Sequence, residues 1–130
     1  MRTPKFRAWT EEGKVMYYDV YPFKDDALLL SYDEIGFDEV PASEFVLMQS
    51  TGLKDKNDNE IFEGDIVKFS DCDDDVYVTP VVWDENYACF GVSFSGKYPI
   101  SFDYLEEFYT ELKEIEVIGN IWENPELLDS

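Results

Sequence analysis

The chain has 130 residues, 30 acidic against 10 basic and none of them histidine, for a formal net charge of −20 and a pI near 4.1. Such a surface repels duplex DNA and anionic membranes, and without imidazole the Ser–His and Cys–His nucleophile systems are excluded. A hydrophobic content of 45% with 10 Phe, 9 Tyr and 3 Trp supplies a folded core of one domain, or a main core with a satellite lobe, not an acidic disordered tail.

No run approaches the roughly 18 apolar residues of a membrane span, and no signal-like stretch follows Met1-Arg2. The expectation is a soluble, cytoplasmic protein in which Cys72 and Cys89 are free thiols. Charge is uneven along the chain. Residues 1–10 carry Arg2, Lys5 and Arg7 and no acid, which leaves 7 bases against 30 acids in the remainder.

In chain order, Lys5 to Trp9 and Lys14 to Val20 alternate apolar and polar residues around Thr10-Glu11-Glu12-Gly13, predicting a β-hairpin whose Gly13 takes the positive φ. Residues 22–45 read as an acidic connector between Pro22 and Pro41, with one short strand at Ala27 to Tyr32. Phe45 to Gln49 reads as a strand broken at Thr51-Gly52, and Lys54 to Glu60 as a polar surface turn. Ile66 to Phe69, Tyr77 to Asp84, Ala88 to Phe94 and Glu114 to Trp122 complete a set of short strands rich in β-branched and aromatic residues. Between the last two, Phe102, Leu105, Phe108, Tyr109 and Leu112 recur at helical spacing, predicting an amphipathic helix over about 101–113 with Ser101 or Asp103 as N-cap. The expected fold is mainly β with minor α. An N-terminal hairpin lobe and connector (1–45) precedes a compact barrel (46–122) capped by the helix, and a tail (123–130) follows.

Three stretches carry a family resemblance: Lys5-Phe6-Arg7-Ala8-Trp9, the segment from Leu47 through Gly52-Leu53-Lys54-Asp55-Lys56-Asn57-Asp58 and Glu63-Gly64-Asp65 to Phe69, and Glu116-Val117-Ile118-Gly119-Asn120-Ile121-Trp122-Glu123-Asn124-Pro125. Together they resemble the YopX family of phage and prophage proteins. The resemblance implies an N-terminal lobe beside an SH3-like β-barrel; it names no activity and brings no catalytic residue. The shared residues read as architectural: Gly52 and Gly64 for tight bends, Ile66, Val67, Ile118 and Ile121 for the core, Pro125 to halt the final strand. Where the family pattern usually runs Lys-Asn-Gly, this chain has Lys56-Asn57-Asp58, with Asp at a position that favours positive φ.

Candidate chemistry is thin. Two cysteines 16 residues apart make no four-ligand zinc set, and the seven glycines form no phosphate cradle. Asp55, Asn57 and Asn59 imitate the start of a calcium loop, but Glu60 stands where its sixth position requires Gly and Ile66 where its twelfth requires Glu. Carboxylate pairs such as Asp84-Glu85 and Asp103 with Glu106 are what thirty acids produce by chance. The expectation is therefore a protein that is not an enzyme and takes no cofactor or metal.

Two functional readings follow. In the first, a phage accessory protein captures a basic host or phage protein through its acidic surface, with imitation of DNA's phosphate array as one form of this. Its candidate surface is Glu106, Glu107, Glu111 and the Asp73, Asp74, Asp75 run, which also reads as a solvated hairpin tip. In the second, the protein self-associates or packs on another phage component. There Lys5, Arg7 and Trp9 serve as docking contacts against the chain's own acidic surface or a second copy. Direct nucleic-acid binding is disfavoured, because three charges are a weak electrostatic footprint.

Overall fold

The computed structural model describes residues 5–31, 36–71, 73–85, 88–93, 99–108 and 114–128. It is mainly β. Eleven strands run in chain order as β1 (Phe6–Thr10), β2 (Val15–Lys24), β3 (Ala27–Ser31), β4 (Phe37–Pro41), β5 (Val46–Lys54), β6 (Glu60–Phe62), β7 (Asp65–Ser70), β8 (Val76–Asp84), β9 (Cys89–Val92), β10 (Ile100–Ser101) and β11 (Glu116–Asn120). A single helix, α1 (Phe102–Phe108), and two 3-10 turns, Ala42–Glu44 and Pro125–Leu128, complete the described elements. The chain divides into two compact units, Met1–Ser50 and Thr51–Ser130.

In the first unit β1 to β4 form an antiparallel meander and β5 crosses back to pair with β1, giving the order β4-β3-β2-β1-β5. The hairpin of β1 and β2 forms around the turn expected for it, but the left-handed residue is Lys14 at φ 53°, not Gly13. Residues 20–45 hold more structure than the two prolines suggest. β2 continues through Pro22, which sits opposite Leu28 at a register shift, and β4 pairs with β3 from Ala27↔Pro41 to Ser31↔Phe37. The residue left out of the ladder is Phe23, and Pro22 is tolerated because it lies past the last pair with β1, Phe6↔Val20, and has a paired strand on one side only. Ala8, Val20, Leu28 and Leu30 make the core of this unit, with Phe6, Tyr17, Val40, Ala42 and Phe45 packed around them.

β5 does not break at Thr51-Gly52 as its sequence suggests. The strand runs on to Lys54 with Gly52 at φ 82°, and Thr51 Oγ1 donates to the Ile61 carbonyl at 2.8 Å, tying the later half of β5 to β6. Glycine absorbs the left-handed kink that a side chain would resist, so the ladder continues through it.

In the second unit the strand order is β10-β9-β8-β7-β11, all antiparallel. No closed barrel is found among the described residues. Closure requires the two end strands to pair, and β10 and β11 are the ends of an open sheet. Ile61, Val67, Phe69, Val81, Val92, Ile115, Phe102 and Leu105 form its core, the last two from α1. Helical spacing thus placed the buried face of α1 correctly; Tyr109, Glu111, Leu112 and Lys113 lie outside the described residues. Ser101 is the N-cap, its Oγ accepting the Tyr104 amide at 3.2 Å, which leaves Asp103 inside the first turn.

The final strand is halted before Pro125. Asn120 turns the chain: its Oδ1 accepts the amides of Trp122 at 3.0 Å and Glu123 at 2.8 Å, and its own amide donates to Asn124 Oδ1 at 3.2 Å. Pro125 instead opens the 3-10 turn that packs on β8. Gly119 is required here for space, because a Cβ would stand 2.6 Å from Asn124 Oδ1.

Candidate functional site

The acidic run between β7 and β8 is an ordered hairpin tip. Asp71 Oδ1 accepts the amides of Asp73 at 2.9 Å and Asp75 at 3.0 Å, Oδ2 accepts the Tyr77 hydroxyl at 2.9 Å, and Asp74 takes φ 63°. Desolvation pushes the Asp71 carboxyl up, but the Tyr77 hydroxyl and the two amides outweigh it and hold the group below the ordinary carboxylate range. Asp71 is thereby spent on the turn, while Asp73, Asp74 and Asp75 are exposed. Glu106 and Glu107 are exposed on α1, and Glu111 lies outside the described residues. Among the described residues no group of three or more Asp, Glu, Cys or His is placed to hold a metal ion.

At the basic start of the chain Lys5 is exposed, and Arg7 and Trp9 are only 2% and 3% accessible, enclosed by the chain itself. Trp9 Nε1 donates to Glu11 Oε2 at 2.9 Å and Lys14 Nζ donates to Glu11 Oε1 at 2.8 Å, so the first hairpin turn is pinned by one carboxylate. Lys14, with Trp9 second, holds that carboxyl below its usual range.

Asp55 is the residue whose role sequence reasoning missed. It is 5% accessible, and its carboxylate serves three backbone donors: Oδ1 takes Asn57 at 2.9 Å and Asn59 at 2.8 Å, and Oδ2 takes Val117 of β11 at 2.9 Å. The adjoining Lys56 amide donates to the Ile115 carbonyl at 2.8 Å. Burial works to raise the Asp55 pKa, and the three amides overcome it, so the group is held below the ordinary value. What resembles a calcium loop is a carboxylate already coordinated by amides. The signal was available: an Asp two residues before Asn in a polar run is an Asx turn.

A second feature of the structure was illegible in the sequence. On β2, β3 and β4, Tyr21, Leu29 and Glu39 stand in one row across the sheet, and Tyr21 meets Phe37 edge to face at 5.6 Å. Tyr21, Phe23 and Phe37 are 47%, 51% and 56% accessible.

Two open antiparallel sheets, a glycine-kinked β5, the Asp55-anchored turn and the Asn120 cap place the chain among small two-unit β proteins, with Asp55 and Asn120 serving the backbone. The chain belongs to the YopX protein family, whose model matches residues 5–129. It is similar to the solved structure of protein EF1440 from Enterococcus faecalis, at 31% identity and a TM-score of 0.71 over 98% of this chain and 99% of that one. It is also similar to protein yopX from Bacillus subtilis, at 27% identity and a TM-score of 0.62 over the same shares. No curated protein matches the chain.

Proposed function

We propose that this is a phage or prophage accessory protein, working in the cytoplasm of a bacterial host, that is not an enzyme and acts by binding a basic protein through its acidic surface. The observation that carries this reading is the net charge of −20. The ordered tip at Asp73, Asp74 and Asp75 and the exposed Glu106 and Glu107 on α1 support it, because fixed carboxylates keep their mutual spacing as a partner approaches. In its sharper form, this array stands in for DNA phosphates in a basic groove. We also carry forward the SH3-like description of the second unit, supported by five short antiparallel strands with one helix against β9 and β10.

The test is capture of host proteins on the immobilised chain across a salt series. A basic partner held at low salt and released as salt rises is the expected result; no such partner, or one indifferent to salt, refutes the reading. The exposed Trp83 and Tyr104 of the second unit favour self-association as the second reading. Light scattering at physiological salt decides it: a strict monomer removes that alternative.

A further inference from the structure

We infer that the outer face of β2, β3 and β4 docks an extended, basic polypeptide segment, received by Tyr21, Phe23 and Phe37 and by Glu39. The inference rests on the binding reading above and adds the face and the chemistry of its guest. Tyr21 and Phe37 in contact, with Phe23 also half-exposed on the same sheet, are more apolar surface than a solvated face needs.

Charge decides what covers it. Asp19 and Glu39 are exposed on these strands, and Asp25 and Asp26 on the turn between β2 and β3, with Lys24 the one base of the described stretch 15–41. A second copy would set these acids against themselves, whereas a lysine- or arginine-bearing segment meets them favourably. The face already shows how it receives a cation. Lys24 Nζ lies 5.2 Å from the centre of the Phe23 ring and 3.6 Å from Glu39 Oε2. A ring face and a carboxylate converging on one ammonium group are the two contacts that a guest cation would make. An extended guest fits because β4 is the last strand of its sheet, and among the described residues it pairs only with β3. A segment laid along β4 gains main-chain pairing and places alternate side chains over the rings.

The probe is a fluorescein-labelled twelve-residue peptide of alternating Arg and Thr, with an alternating Glu and Thr peptide as control, read by anisotropy at several salt concentrations. Tyr21→Ser with Phe37→Ser leaves the net charge unchanged and should weaken binding of the Arg peptide about tenfold. Lys24→Met vacates the Phe23 ring and Glu39 and should tighten it about threefold. Lys54→Met removes the same charge from an exposed lysine paired with Asp58, and should have a smaller effect. Circular dichroism confirms that each variant is folded, and the Lys24 comparison stands independently of the aromatic pair. Equal affinity of the double aromatic variant, or indistinguishable Lys24→Met and Lys54→Met, overturns the inference while leaving the general acidic-surface reading intact. Failure of the wild-type chain to bind the Arg peptide at any salt also overturns it, whereas the broader reading is decided by the host-protein capture.

Discussion

Replacing Asp55 by Asn should destabilise the second unit by about 3 kcal/mol at pH 7. The side chain keeps its shape, but one carboxylate oxygen becomes an NH₂ group that faces an amide donor. The least costly orientation keeps the carbonyl oxygen against Asn57 and Asn59 and turns the NH₂ toward Val117. One hydrogen bond to a charged acceptor is then lost, worth about 1.5–3 kcal/mol, and the two retained bonds weaken to neutral strength. Water reaches the exposed Asn57 and Asn59 amides more readily than that of Val117, so the loss concentrates on β11. Urea denaturation followed by circular dichroism gives the total, and hydrogen exchange at the Val117 amide locates it. The pH dependence has a definite sign. The folded pKa of Asp55 is lowered, so its contribution is complete above the unfolded value of about 3.9 and is lost as pH falls through the lower folded value. The gap between wild type and Asp55→Asn should hold from pH 7 to about 5 and close below about 4. A gap under about 1 kcal/mol at pH 7, or one that does not narrow toward pH 3, refutes the assignment.

Asp58 and Lys14 occupy left-handed conformations at φ 67° and 53°, so Asp58→Gly and Lys14→Gly should each stabilise by about 0.5–1 kcal/mol, seen as a higher urea midpoint with unchanged slope. The Lys54–Asp58 pair at 3.5 Å that Asp58→Gly removes and the Lys14–Glu11 pair at 2.8 Å that Lys14→Gly removes are both exposed and offset little of this. Gly119→Ala should destabilise by about 1–3 kcal/mol by displacing Asn124, and Asn124→Ala in the same chain should recover part of that loss, a non-additivity that a double-mutant cycle measures. Ser101→Ala should cost about 1 kcal/mol through the Tyr104 amide left without its cap, with exchange protection lost first in α1.

Patterns that depend on one segment's own periodicity were legible in advance: the first hairpin, β7, β8, β11 and the buried side of α1 at Phe102 and Leu105. Patterns set by partners distant in sequence were not. β6 is three residues long, and Ile61 and Phe62 reveal a strand only once β5 is beside them. β4 reads Phe-Asp-Glu-Val-Pro, too short and acidic to stand out until β3 fixes its register. Pro22 argued for a loop, and its pairing with Leu28, past the end of the β1 ladder, overruled it. The acidic tip and the helical glutamates were found from composition alone, since local charge needs no tertiary information. The burial of Arg7 and Trp9 was not legible, because a strand buried on both faces looks, in sequence, like a cation beside an aromatic at the surface.

The residues that carry the family resemblance and the residues available to a partner fall in different places. Asp55, Asn120 and Asn124 direct their oxygens at backbone amides, Gly119 leaves room for Asn124, and Gly52 serves through its left-handed kink. Trp9 is committed to Glu11 and to the interior. A side chain saturated by amides has little left to offer a ligand. The exposed rings Tyr21, Phe23 and Phe37 and their neighbour Glu39 lie on β2 and β4, apart from the three stretches by which the sequence resembles the family, although the family model itself spans them. On the binding reading, the family motif therefore specifies the scaffold, and partner choice follows the side chains on β2 and β4. Moving those surface residues into the Enterococcus faecalis relative should carry affinity for the Arg peptide with them, whereas exchanging the motif residues should change stability alone. Transfer of affinity with the motif would place recognition in the scaffold and reverse this division.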